Sequence, residues 1–266
     1  MSSSPVHTEV AFVATPWGRL FARRWFPEQA DPRKPVIVLL HDSLGSVELW
    51  RDFPAQLCQR SGLEVVAYDR LGFGQSQACA QRLPLSFISD EAQQVFPLLR
   101  EALGIERFIA FGHSVGGSMA SACAAHHAED CVALITEAAQ AFVEARTLDG
   151  IRLAKAQFQE PGQMQRLEKY HGDKAQWVLE AWTETWLAPR FADWTLERCA
   201  GPVHCPTLVL HGDLDEYGSL AQPVRVVALA ADNGRTVILD GCHHVPHRED
   251  PQRVLDEVCR FLATVI

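Results

Sequence analysis

No apolar run in the sequence approaches the roughly 20 residues that a bilayer-spanning helix needs, which argues against a membrane protein. The opening residues, "MSSSPVHTEV", carry no basic stretch followed by an apolar one, so no signal peptide is visible. The eight cysteines (Cys58, Cys79, Cys123, Cys131, Cys199, Cys205, Cys242 and Cys259) include no C-x-x-C pair. Scattered cysteines without a secretion signal read as reduced thiols rather than a disulfide framework, and cytoplasm is the expected location. Excess positive charge is missing as well: 24 Lys and Arg stand against 33 Asp and Glu, a net charge of −9. That balance argues against nucleic acid, whose phosphates call for basic patches, and against anionic lipid surfaces. The glycine loop "RLGFGQS" has neither a P-loop lysine nor the full G-x-G-x-x-G pattern, so it reads as structural. Repeats and low-complexity segments are absent.

What is present is ordinary globular composition, 47% hydrophobic and 21% charged over 266 residues. "TEVAFVA" and "RLFARRWF" flank the turn "TPWG", a hairpin signal. "PVIVLLH" (35–41) is a continuous β-branched run, as expected of a buried parallel strand. "VELWRDFPAQLCQR" has helical spacing, with Pro54 at its start or at a kink. The strand "LEVVAYD", the helix "DEAQQVFPLLREALG" with its glycine stop, the strand "RFIAFGH", a small-residue helix and the strand "CVALITEAA" follow in turn. This alternation predicts a mostly parallel sheet with helices on both faces. It breaks at residues 138–200, which are helix-like, and resumes at "CPTLVLHG". The predicted organisation is therefore an α/β core (1–137 and 201–266) with a helical insertion (138–200).

Between strand and small-residue helix lies "GHSVGG" (112–117), a G-x-S-x-G match. A serine on a sharp strand-to-helix turn needs small residues two before and two after it, and Gly112 and Gly116 meet that need. The turn exposes the Ser114 hydroxyl and aims a helix N-terminus at a developing oxyanion. With "PVIVLLHDSLGS", "YDRLGFGQS" and "GCHHVPHRED" in order around it, the chain resembles the α/β-hydrolase superfamily over nearly its whole length. In particular it resembles the serine branch with a small helical cap, as in bacterial esterase and enol-lactonase-like members. Serine rather than aspartate at the elbow favours acyl transfer through a serine ester.

The resemblance implies the rest of the site. The superfamily's chain order is Ser, then an acid, then His. Its G-x-x-D pattern, counted from Gly212, points to Asp215 as the acid, with Asp213 a loop carboxylate and Glu137 an alternative acid position. In "GCHHVPHREDP" the base position falls on His244, leaving His243 and His247 to hydrogen-bond locally or face solvent. One oxyanion donor is the backbone N–H of Val115; the second position falls on Ser43, in the loop after "VLLH". Relatives usually have His-Gly there and this chain has His41-Asp42, a carboxylate that opposes an oxyanion unless it is turned away or hydrogen-bonded. His41 is read as structural.

Three histidines within residues 243–247 also raise the question of a metal. Adjacent His243 and His244 rarely both aim inward, and Cys242 and the pair His126–His127 have no standard ligand spacing, so no metal and no cofactor is expected. Within 138–200, Trp182 and Trp186 are four apart and share one helical face. They read as packing of the insertion, as the wall of a substrate pocket, or as both. The expected function is a cofactor-free serine hydrolase acting on a small carboxylic ester or lactone. The alternatives are hydrolysis of a carbon–carbon bond in a ring-cleavage product, or a non-catalytic ligand receptor on the same fold. The aromatic insertion and Asp42 together predict a preference for neutral over anionic esters. The oligomeric state is not legible.

Overall fold

A computed structural model describes residues 6–266; residues 1–5, where the stretch read for a signal peptide begins, lie outside the described residues. The hairpin appears as β1 (His7–Thr15) and β2 (Gly18–Phe26), paired through the turn at Thr15–Gly18. Six further strands follow: β3 (Val36–Leu40), β4 (Val65–Asp69), β5 (Phe108–His113), β6 (Cys131–Glu137), β7 (Thr207–Gly212) and β8 (Gly234–Leu239). They form one eight-stranded sheet in the order β1-β2-β4-β3-β5-β6-β7-β8. β2 pairs antiparallel with β1 and β4, and every other pairing is parallel. β4, β5 and β7 are buried at every residue, which is why they read as unbroken apolar runs.

Strand alternation sends successive side chains to opposite faces. Val38 and Leu40 join Val66, Ala110, Met119 and Val209 in a core on one face. Ile37 and Leu39 join Phe111, Leu57, Val258 and Phe261 in a core on the other. The first face is covered by the helices Phe96–Leu103 and Val115–His126, the second by Phe53–Ser61 and Pro251–Leu262. Val115–Ala124 is buried at every position, so its run of Gly, Ser and Ala is what lets that helix lie close against the sheet.

Two helical readings are refined by proline. "VELWRDFPAQLCQR" splits into a 3-10 turn (Val47–Trp50) and a helix (Phe53–Ser61), with Arg51 at φ 53 between them and Pro54 in the first turn. "DEAQQVFPLLREALG" is interrupted by a π-helical turn, Glu91–Val95, before the helix Phe96–Leu103. Pro97 has no N–H to donate and its ring crowds the carbonyl one turn back, the usual cause of such a bulge. That helix ends, as expected, at Gly104, in the left-handed region at φ 67.

Between β6 and β7 lie the helices Ala145–Gln157, Gln163–His171, Ala175–Trp186 and Leu196–Cys199, with only an isolated bridge, Phe142 to Thr195, of β type. Trp186, Phe191 and Leu196 from this segment belong to the first core, while Leu167, Val178 and Leu179 close around Phe73 in a smaller one. No helix among the described residues is long and apolar enough to cross a membrane. All eight cysteines are free thiols.

Candidate active site

Four loops that follow the carboxyl ends of β3, β5, β7 and β8 converge, the usual position for a site on a parallel sheet. After β5 the chain turns sharply at Ser114, whose φ of 56 and ψ of −125 are strained for a residue with a side chain. The glycines permit this turn. A Cβ on Gly112 would lie 1.9 Å from the Gly116 carbonyl oxygen, and one on Gly116 would lie 2.1 Å from that of Leu40. The helix Val115–His126 starts immediately after, so the Val115 N–H has no intrahelical partner.

The β8 loop brings His244 to Ser114: Nε2 lies 2.9 Å from Oγ. On the other side of the ring, Nδ1 lies 2.9 Å from both carboxylate oxygens of Asp215. Asp215 is fully buried, and its Oδ1 also accepts the N–H groups of Tyr217 (2.8 Å) and Gly218 (3.0 Å). Burial alone would raise its pKa, but His244, His211 and the Tyr217 N–H outweigh burial and hold it below the ordinary value. Asp215 is therefore ionised at neutral pH, and the His244 Nδ1 is the donor to it. A Cβ on Gly212 would meet the Cys242 carbonyl oxygen at 2.2 Å, so glycine is what lets the β7 end and the His244 loop touch.

The neighbouring carboxylates have other tasks. Asp213 accepts the Gly241 N–H at 2.6 Å, the loop role expected of it. Glu137, the alternative acid position, binds a different histidine. It accepts the backbone N–H of His247 (2.5 Å) and its Nδ1–H (2.6 Å). His247 thus does not face solvent: it is buried, with its ring 4.6 Å from that of Trp50. His243 is exposed and donates its N–H to Glu249 at 2.6 Å. Glu249 also accepts the Val245 N–H (2.9 Å), and so braces this loop on both sides of His244.

His113, Glu137 and His247 bring one possible ligand atom each within 4.8 Å of one another, a grouping different from the one weighed on sequence. Two of their ring nitrogens are already engaged, while His113 Nδ1 makes no hydrogen bond and lies 3.3 Å from Asp42 Oδ2. His247 donates to Glu137, and His113 Nε2 donates to the His244 carbonyl at 2.7 Å. The grouping is a polar network behind the His244 loop.

Ser43 lies beside the Ser114 cavity, in the loop after β3. The preceding Asp42 does not point an uncompensated charge at that cavity. Its Oδ1 accepts the Leu44 N–H at 2.8 Å, and its Oδ2 lies 3.3 Å from His113 Nδ1. Burial would lower the His113 pKa, but Asp42 and Glu137 overcome it and hold the imidazole at about 9. His41 is structural, as expected: Nδ1 donates to the Asp42 carbonyl (2.8 Å) and Nε2 accepts the Arg70 N–H (3.1 Å).

The cavity over Ser114 measures about 210 Å³. Trp182 and Trp186 both line it, with Ile151, Leu49 and Tyr217. Trp186 also packs on Phe191 (ring centroids 5.2 Å apart), so packing and lining coincide in that residue. Sequence reasoning missed Glu216, which accepts the His244 N–H (3.2 Å), and Tyr217, whose ring lies 4.8 Å from that of His244. Arg146, which on sequence offered only a cation of the insertion able to offset an anionic substrate, donates to the Asp215 carbonyl (3.0 Å). These contacts join segments far apart in the chain and leave no local pattern.

A family model described as alpha/beta hydrolase fold matches residues 35–173, more than half of the chain. The chain belongs to the α/β-hydrolase fold family. Among solved structures it is similar to proline iminopeptidase of Mycobacterium smegmatis, with a TM-score of 0.73 and 21% identity over 96% of this chain and 98% of that one. It is similar too to carboxylesterase CesB of Bacillus subtilis, with a TM-score of 0.69 and 19% identity over 98% and 94% of the two chains. A curated relative, proline iminopeptidase of Lactobacillus delbrueckii subsp. lactis, is 29% identical over 92 residues, 35% of this chain and 31% of that protein. The match therefore spans less than a third of that relative's length. As an α/β hydrolase the chain has the family's mostly parallel sheet, eight strands wide, with helices on both faces.

Proposed function

We propose that this α/β hydrolase is a cofactor-free serine hydrolase of small carboxylic esters or lactones. Ser114 Oγ attacks the carbonyl carbon while His244 Nε2 takes its proton. Asp215 holds the ring in the required tautomer and stabilises the imidazolium that forms. The N–H groups of Val115 and Ser43 receive the oxyanion. Collapse of the tetrahedral intermediate expels the alkoxide, which takes the proton back from His244. Water then bonds to the acyl carbon as its proton passes to His244; the second tetrahedral intermediate breaks its bond to Ser114 Oγ, which takes that proton from His244, and the acid leaves.

The observation that carries this reading is the unbroken run Ser114 Oγ, His244 Nε2, His244 Nδ1 and Asp215, with both links at 2.9 Å, on a strained elbow. Substrate size follows from the cavity. At about 210 Å³ it falls below the roughly 300–1,000 Å³ typical of drug-sized ligands. An ester is favoured over an N-terminal peptide because, among the described residues, the one carboxylate lining the cavity, Asp42, already faces His113, so a substrate ammonium meets no free carboxylate there. We also propose that residues 138–200 act as a cap on the core formed by 1–137 and 201–266, since Thr147, Ile151, Trp182 and Trp186 wall the cavity from that segment.

The test is turnover on a panel of short aryl esters, alkyl esters, lactones and vinylogous diketones. Hydrolysis of short esters or lactones supports the proposal. Turnover of the diketones alone would assign carbon–carbon hydrolysis instead. Covalent labelling by a serine-directed phosphonate without turnover of any substrate would assign a receptor.

A further inference from the structure

His113, the first of the two variable residues of the G-x-S-x-G elbow, touches both loops on which the chemistry depends. Its Nε2 lies 2.7 Å from the carbonyl oxygen of His244, within the base loop. Its Nδ1 lies 3.3 Å from Oδ2 of Asp42, within the loop that carries Ser43. Asp42 in turn holds its own loop: Oδ1 accepts the Leu44 N–H (2.8 Å), and its carbonyl accepts from Gly45 N–H (3.2 Å), His41 Nδ1 (2.8 Å) and Arg70 Nη2 (2.9 Å). A glycine at position 42, usual in relatives, would keep the three carbonyl bonds but not the Leu44 and His113 contacts of the carboxylate.

We propose that doubly protonated His113 and Asp42 form a positioning pair that fixes the Ser43 donor and the His244 base relative to Ser114. The inference rests on the serine-hydrolase reading of the site. Its chemistry is a matter of counting donors. A neutral imidazole has one N–H and one lone pair. With oxygens facing both nitrogens, a neutral ring presents that lone pair either to the Asp42 carboxylate or to the His244 carbonyl. Only the imidazolium turns positive charge toward both oxygens, as a hydrogen bond at the His244 carbonyl and, at Asp42, as a 3.3 Å ion-pair contact outside hydrogen-bond geometry. The charge is retained in a buried place because negative groups face it: Asp42 from the β3 loop and ionised Glu137 from the end of β6. The other titratable neighbours are the rings of His244 (5.2 Å between centroids) and His247 (5.0 Å). Burial keeps His247 below its ordinary pKa, so it is neutral and adds no opposing charge.

The pair acts through loop placement, so its loss is read in kcat rather than in KM. A misplacement of about 1 Å costs on the order of 10²-fold. Asp42→Asn and Asp42→Gly are therefore expected to lower kcat about 10–100-fold on a short neutral ester, with KM changed far less. The unmutated enzyme is expected to lose kcat as pH rises through about 9, where His113 sheds its second proton. In Asp42→Asn burial dominates, and that alkaline limb should move down by a unit or more. The experiment measures kcat and KM from pH 6 to 10, with circular dichroism to show folding, for the unmutated enzyme, both Asp42 variants, His113→Asn and the double variant Asp42→Asn/His113→Asn.

Losses in the double variant no larger than in His113→Asn alone support the pair, because the residues then act as one unit. Folded Asp42→Gly with unchanged kcat and an unmoved alkaline limb would overturn it. Additive losses would overturn it too. Phosphonate labelling of Ser114 in the unmutated protein, scored separately, shows whether the underlying serine-hydrolase reading holds. A failure of labelling is thus distinct from a failure of the pair.

Discussion

Replacing Asp215 by Asn changes one atom and reverses the chemistry of its neighbour. Oδ1 of Asp215 accepts two backbone N–H groups, from Tyr217 and Gly218. Those two donors stay in place in the Asp215→Asn variant, so the amide oxygen must keep the Oδ1 position and the NH₂ group must take that of Oδ2. Oδ2 lies 2.9 Å from His244 Nδ1. Nδ1 is equally close to the Oδ1 position, but an N–H donor at Oδ2 repels the Nδ1 proton and favours the tautomer in which Nδ1 accepts and Nε2 carries the proton. Nε2, 2.9 Å from Ser114 Oγ, then has no lone pair to take the serine proton. The fold is retained because the volume and both backbone bonds survive. The same change in a serine-protease triad lowers kcat about 10⁴-fold, and a loss of that order is expected here. It corresponds to about 5.4 kcal/mol of lost transition-state stabilisation. Asp213→Asn is the control, since Asp213 only accepts the Gly241 N–H in an exposed loop. The assay is kcat on a short aryl ester at pH 7–8 for both variants. Equal losses in the two variants, or an Asp215→Asn enzyme within tenfold of the unmutated one, would refute the tautomer argument.

His244→Ala is expected to lose several orders of magnitude in kcat, whereas His243→Ala, which removes an exposed ring beside Glu249, should lose little; steady-state kinetics separate them. Glu137→Gln replaces the buried carboxylate that accepts from neutral His247 and is expected to cost about 1.5–3 kcal/mol of stability by urea unfolding, with turnover by the folded protein falling far less than in Asp215→Asn. The pH dependence of stability has a sign at each end. Glu137 has a lowered folded pKa, so its contribution is present above the unfolded carboxylate value and disappears as pH falls through the lowered one. His113 is raised from 6.5 to about 9, so its contribution is complete below 6.5 and disappears as pH rises through about 9; His113→Asn should flatten that alkaline loss in thermal melts.

Much of the fold is legible because its signals are local. The unbroken apolar strands, the glycines around Ser114 and the turn at Thr15–Gly18 each need only a few neighbouring residues to be read. Proline blurs two helices: Pro97 looks compatible with a continuous helical period, and only the chain geometry turns it into a π-helical interruption. Ser114, Asp215 and His244 follow from motif and chain order, and they come together in space. The partners of the remaining charged groups are not legible, because Glu137 meets His247 across 110 residues and His113 meets the His244 carbonyl across 131. Asp42 illustrates the cost. Read alone, it is a bare charge beside the oxyanion loop and argues for neutral substrates. With His113 at 3.3 Å that argument loses one of its two supports, leaving the aromatic wall of Trp182 and Trp186.

The central claim is that Ser114 is the nucleophile, and the most direct measurement is mass spectrometry of the protein after reaction with a fluorophosphonate, in parallel with Ser114→Ala. One phosphonyl adduct on the peptide containing Ser114, with no adduct and no ester turnover in a folded Ser114→Ala, is the expected result. An adduct on another serine, or undiminished turnover by Ser114→Ala, would contradict it.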